Sequence, residues 1–199
     1  MLKKKRKLLH LISAVCFLFV LFPISIYGGC VQGDCTNGIG TFEFEGKFAG
    51  DVYVGQFKNG KAEGQGTYTF SDGTKYIGDF KDSKFEGKGK ETFPDGGFYE
   101  GDFRDGKANG KGKLVLANGD KYKGQFKNDR YYGSGTLVFA NGNRYQGKFK
   151  NDKFHGNGVM FYNNGELYIG KWKNGKRHGS GKLYNLVYSG KWVNDKKKK

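Results

Sequence analysis

The sequence predicts an all-β fold: an elongated, single-layer antiparallel array of β-hairpins that follows an N-terminal apolar helix. Three observations predict the array. Tyr53, Tyr76, Tyr99, Tyr122, Tyr145 and Tyr168 stand 23 residues apart, and each opens the pattern Y-x-G-x-[FW]. A Gly-x-Gly pair follows in every copy, from Gly64/Gly66 to Gly179/Gly181. Asn-Gly, Asp-Gly or Asn-Asp pairs recur between the aromatic segments. A fixed period of this length signals one supersecondary unit stacked on copies of itself.

The first strand of each unit is Tyr-x-Gly-x-Phe/Trp, which sets three residues on one face at period two. The second follows the glycine pair, in segments such as GTYTF, GKLVL, GTLVF and GVMFY. These are short and rich in aromatic or β-branched residues, as strands are. Asn59-Gly60, Asp105-Gly106, Asn128-Asp129, Asn151-Asp152 and Asn174-Gly175 join the two strands. Asp72-Gly73, Asp95-Gly96, Asn118-Gly119, Asn141-Gly142 and Asn164-Gly165 lead to the next unit. Such pairs supply the positive φ of tight turns. The Phe/Trp row (Phe57, Phe80, Phe103, Phe126, Phe149, Trp172) is expected to lie over the glycine pair of the partner strand, where no Cβ obstructs a ring. The resulting ladder would be the core of a slab roughly 65 Å long.

The ends depart from the period. Tyr188, Gly190 and Trp192 begin a further copy only 20 residues after Tyr168. Ahead of Tyr53, GDCTNGIGTFEF keeps a Gly38/Gly40 pair and then runs long. The expected organisation is a leader or anchor over 1–29, a degenerate capping repeat over 30–52, six repeats over 53–187, a truncated repeat over 188–195 and a basic tail over 196–199. Atypical terminal units are the norm in repeat arrays.

YVGQFKNGKAEGQG (53–66), YEGDFRDGKANGKG (99–112) and YIGKWKNGKRHGSG (168–181) resemble the MORN repeat, as does the register of roughly residues 36–195. Ser83, Asp129 and Asp152 replace the turn glycine of that pattern. The resemblance implies an elongated hairpin array used for protein association, and phospholipid binding has been attributed to the family. It does not specify a ligand.

MLKKKRK followed by LLHLISAVCFLFVLF reads as a basic n-region and an apolar h-region, an export signal. Residues 8–27 are also long enough to span a bilayer, with the basic end cytoplasmic. Either reading places the repeats outside the cytoplasm, in the periplasm or attached to the outer side of the membrane, in a bacterial-type envelope. Cys30 and Cys35 then sit at the head of the array. They are expected to form a short disulfide in an oxidising compartment, or Cys30, after Gly28-Gly29, is the lipidated first residue of a lipoprotein.

The 35 basic and 19 acidic residues are unevenly spread. Residues 30–121 hold 13 basic and 15 acidic residues, and residues 122–195 hold 13 and 4. The residue after each Phe/Trp is basic: Lys58, Lys81, Arg104, Lys127, Lys150 and Lys173. So is the residue three further on: Lys61, Lys84, Lys107, Arg130, Lys153 and Lys176. Two rows of positive charge should therefore follow one edge of the slab. Lysine there is a common guard against edge-to-edge aggregation, and it is also a candidate site for an anionic partner. The residue before Phe/Trp drifts from Gln56, Asp79 and Asp102 to Lys148, Lys171 and Lys191.

Catalytic signatures are not found. There is no G-x-S-x-G, H-E-x-x-H or phosphate-loop motif, and the recurrent Gly-x-Gly stands between strands rather than before a helix. His155 and His178 share a repeat position that reads as a loop preceding a glycine. The expected function is a non-enzymatic, cofactor-free scaffold of the cell envelope, binding protein through its aromatic-glycine face or its sheet edges, with self-association open and no nucleic acid. The alternative is peripheral binding of anionic lipid or acidic wall polymer.

Overall fold

The computed structural model describes residues 28–185, with the backbone of 192–193 and 196–197. The leader, its expected helix, and Tyr188 and Gly190 lie outside the described residues. Fourteen strands form one antiparallel meander in chain order. They are β1 (Gly28–Gly33), β2 (Ile39–Phe44), β3 (Val52–Lys58), β4 (Lys61–Thr69), β5 (Lys75–Lys81), β6 (Lys84–Thr92), β7 (Phe98–Arg104), β8 (Lys107–Val115), β9 (Lys121–Lys127), β10 (Arg130–Val138), β11 (Arg144–Lys150), β12 (Lys153–Phe161), β13 (Glu166–Lys173) and β14 (Lys176–Asn185). A 3-10 turn, Gly46–Phe48, fills the longer link from β2 to β3. The sheet begins at Gly28, two residues before the expected boundary of the capping unit.

Each 23-residue unit is a hairpin closed by a two-residue turn with both residues at positive φ, as at Asn59 (51°) and Gly60 (71°). The twist of such turns matches that of the strands they join. Within the hairpin Gly55 lies opposite Gly66 and Phe57 opposite Ala62. Three residues, 63–65, therefore face the single residue Gln56. This bulge is why two glycines are needed, and their roles differ. Gly64 sits in the bulge at φ 66°, a conformation that side-chain-bearing residues adopt at a cost. Gly66 lies beneath a ring.

That ring is tyrosine, not the expected Phe/Trp. A Cβ on Gly66 would stand 2.5 Å from Tyr53 Cε2. The Tyr53 hydroxyl reaches past the glycine to donate to the Gln56 carbonyl at 2.9 Å, and Tyr76, Tyr99 and Tyr122 repeat the bond to Asp79, Asp102 and Gln125. The bulge shifts the register so that Phe/Trp falls beyond the glycine and stands edge-on to the tyrosine. Tyr99 and Phe103 have centroids 5.0 Å apart at 87°, and Phe103 meets Tyr76 of the preceding unit at the same distance. A third ring closes three of the units: Phe85 stacks on Tyr76 at 3.7 Å, Tyr131 on Tyr122 at 3.8 Å and Phe154 on Tyr145 at 3.9 Å. In the last unit the Arg177 guanidinium covers Tyr168 at 4.7 Å instead.

A single sheet thus seals one face with its own side chains. Tyr53, Tyr76, Tyr99, Tyr122 and Tyr145 are fully buried, each contributing about 1.5–3 kcal/mol by leaving water. Burial also pushes the Tyr53, Tyr76, Tyr99 and Tyr122 hydroxyls well above the usual phenol range, so they remain donors. Beyond β14, β15 (Trp192–Val193) pairs with β16 (Lys196–Lys197), Trp192 opposite Lys197 and Val193 opposite Lys196. The same spacing sets Phe126 opposite Tyr131 and Lys127 opposite Arg130. Lys196 and Lys197, expected in a tail, therefore have paired backbone.

Candidate functional site

With its rings enclosed in the core, the sheet leaves its other face and its two edges for recognition. The aromatic side expected to meet a partner is closed. The opposite face carries a groove of about 1030 Å³ running across the strands. Its floor is the stripe of paired glycines Gly78, Gly89, Gly101, Gly112 and Gly124. Lys88 and Lys111 line the bank toward the hairpin turns, and Lys90, Lys113 and Lys123 line the other. Glu100 stands opposite Lys90 on one side and Lys113 on the other. Asp102 pairs with the Lys88 ammonium and accepts from the Lys111 amide at 2.7 Å. Burial works to raise the Asp102 carboxyl, but these two bonds hold it below the usual range. The Phe98 ring lies between the Lys90 and Lys113 ammonium groups, 4.9 and 5.3 Å from its centroid.

The two basic rows do share the turn edge. Lys58 lies opposite Lys61, Lys81 opposite Lys84, Arg104 opposite Lys107, Lys127 opposite Arg130, Lys150 opposite Lys153 and Lys173 opposite Lys176. They are not equivalent along the array. Lys61 pairs with Asp82 of the next turn at 2.9 Å and Lys84 with Asp105 at 3.0 Å. From Lys107 onward the same turn position is Asn128, Asn151 or Asn174, which carries no charge.

The substituted turn residues are clasps, a role the sequence pattern does not announce. Ser83 Oγ accepts from the Ala62 amide (3.1 Å), Asp129 from Ala108 (2.8 Å) and Asp152 from Tyr131 (2.9 Å). Each fastens a hairpin tip to the hairpin before it. A matching ladder follows the opposite edge, where Asp51, Asp120 and Asn143 accept from the amides of Ser71, Ala140 and Asn163. The one signal for these clasps in the sequence is an Asp, Ser or Asn recurring beside each turn.

Cys30 and Cys35 are joined by a disulfide, with Cα atoms 5.9 Å apart. His155 and His178 sit in strands β12 and β14 rather than in loops, His155 opposite Lys148. Among the described residues, no three His, Cys, Asp or Glu side chains converge as a metal site.

Among solved structures the chain is similar to the G-box domain of the microcephaly protein CPAP, at 13% identity over 74% of this chain and 77% of that one, with a TM-score of 0.43. It is also similar to the TCP domain of SAS-4 (dCPAP) of Drosophila melanogaster, solved in complex with a proline-rich motif of Ana2, at 9% identity over 84% and 96% with a TM-score of 0.45. No curated protein matches. The MORN repeat matches residues 53–75, 76–98, 99–121, 122–144, 145–166 and 168–185. With six consecutive units matched over most of its length, this chain belongs to the MORN repeat family.

Proposed function

We propose that the chain is a non-enzymatic scaffold of the cell envelope that holds protein partners on the open face of its sheet. The observation that carries this reading is the division of the sheet into a face sealed by its own rings and a face offering a continuous groove. Thirteen strand spacings of about 4.8 Å give an edge-to-edge length of roughly 60 Å, room for more than one contact. Export is supported by the basic and apolar segments at the N-terminus and by the Cys30–Cys35 disulfide, a bond that persists in oxidising compartments. The test is photo-crosslinking of the full chain in cells, with the reactive residue at position 77, exposed in the groove of the open face, or at 103 on the sealed face. Protein adducts from 77 alone are expected. A chain that yields no adduct from either position would overturn the reading.

A second reading, peripheral attachment to anionic lipid or acidic wall polymer, is favoured by one observation: after Asp105 the turn position that pairs with the lysine of the preceding hairpin is asparagine. Lys127, Arg130, Lys150, Lys153, Lys173 and Lys176 stand in the half of the edge where basic residues outnumber the two turn carboxylates, Asp129 and Asp152. Each basic group near an anionic surface adds about 1 kcal/mol. Co-sedimentation with phosphatidylglycerol vesicles at low salt, abolished at high salt, is the expected result. Equal binding to neutral vesicles would overturn it.

A further inference from the structure

The groove of the open face has a repeat of its own. Four of its five lysines recur once per hairpin, Lys88 then Lys111 on one bank and Lys90 then Lys113 on the other, while Lys123 stands directly opposite Lys113. Successive hairpins are two strands apart, which spaces the lysines of one bank by about 9.6 Å. The positions between the banks turn their Cβ direction toward the tyrosine rings of the sealed face, so no side chain stands between the banks and the backbone of a ligand can approach the sheet. Five lysines line the groove; Glu100 stands between Lys90 and Lys113, and Asp102 beside the groove pairs with Lys88, which leaves an excess of positive charge.

A chain lying along this groove crosses the strands, and its own period must suit the lysines. A β-strand alternates its side chains, so residues three apart face opposite ways. A polyproline II segment has three residues per turn and advances about 3.1 Å per residue, hence about 9.3 Å per turn. Every third side chain then points the same way and falls within about 0.3 Å per turn of the lysine spacing, well inside the reach of a lysine side chain. The bank is also preorganised. Lys90 and Lys113 both rest on the Phe98 ring, and cation–π contact holds each side chain before any ligand arrives.

We propose that the groove binds an extended acidic segment of a partner protein, in the polyproline II conformation, with a carboxylate at every third residue. The inference rests on the scaffold reading above and names the partner's chemistry at the same face. Carboxylates i and i+3 meet Lys90 and Lys113, and the ligand backbone lies over Gly101 and Gly112.

The test is fluorescence anisotropy on the full chain with two labelled peptides of identical composition. One carries five Glu-Pro-Pro triplets; the other has its five glutamates contiguous. The triplet peptide is expected to bind at least about tenfold more tightly. K111E/K113E should weaken it by about tenfold or more, since two exposed ion pairs become repulsive, and K111Q/K113Q should act the same way to a smaller extent. F98A should narrow the gap between the two peptides. Circular dichroism verifies that each variant is folded. Equal affinity for the two isomers reduces the groove to unselective attraction and overturns the proposal, as does the absence of triplet binding by the folded chain. A protein crosslinked through position 77 that lacks any such acidic segment would overturn the proposal and leave the scaffold standing. No crosslink at all would remove both.

Discussion

Tyr99 lies across Gly112: a Cβ added to that glycine would stand 2.5 Å from both Cε2 and Oη of the tyrosine. The ring has nowhere to go, since Phe103 and Phe126 stand edge-on to it at 5.0 and 4.9 Å. Gly112→Ala is therefore expected to destabilise the fold by about 3 kcal/mol, the upper range for overpacking, and Gly112→Val by more. Gly60 is the control. It has φ 71°, but a Cβ there would meet only open space, and Gly60→Asn should cost a few tenths of a kcal/mol because asparagine tolerates the left-handed region. Urea midpoints of the variants measure this; equal costs at the two positions would contradict the close approach.

Phe103 tests the other half of the ladder. It is 3% exposed and touches Tyr76, Phe85 and Tyr99 across two units. Phe103→Ala should cost roughly 3–5 kcal/mol. Because the lost contacts span two hairpins, the loss should lower the cooperativity of unfolding as well as its midpoint, visible as a smaller denaturant slope.

Glu91 occupies a core position that is Tyr68, Leu114, Leu137 or Met160 in other units. It is 3% exposed, and its Oε2 has no hydrogen-bond partner among the described residues. Burial, with Asp129 and Asp72 nearby, pushes its carboxyl up to about 8. The folded chain thus keeps a proton that the unfolded chain releases from about pH 4.5 upward. Folding stability should fall as pH rises from about 4.5 to 8, and then level off. Glu91→Leu should flatten that profile and stabilise the protein at about pH 8 by on the order of 3 kcal/mol, with a small effect at about pH 4. Thermal melts across this range supply the measurement.

The hairpins and their turns are legible in the sequence because the Tyr spacing and the Asn-Gly pairs are local signals that agree. Which ring lies on glycine is not legible. Tyr53, Gly55 and Phe57 share one face, so period two permits either ring, and the choice is made by a bulge at Gly64 that shifts the pairing by two residues. The groove is hidden for a different reason. Its lining occupies positions that vary between units, such as Lys88, Lys111 and Ser134, whereas the period draws attention to positions that do not. The basic rows follow from the period and lie on the expected edge, but their neutralisation by Asp82 and Asp105 depends on contacts between neighbouring turns.

Asp129 offers the last prediction, because two effects oppose each other there. It stands where other units have a turn glycine, at φ 63°, and that conformation costs a non-glycine residue about 1 kcal/mol. Against that, its carboxylate accepts from the buried Ala108 amide of the previous hairpin at 2.8 Å, a charge-assisted bond that contributes about 1.5–3 kcal/mol. Asp129→Ala keeps the strain and loses the bond, so it should destabilise by about 2 kcal/mol. Asp129→Gly loses the bond but relieves the strain, and should cost roughly 1 kcal/mol less than alanine does. Asp129→Asn keeps a neutral acceptor and should fall closest to the parent. Chemical denaturation of the three variants ranks them. If glycine proved the most stable of all four residues, the side chain would be a mere substitution tolerated by the turn, and not a fastening between repeats.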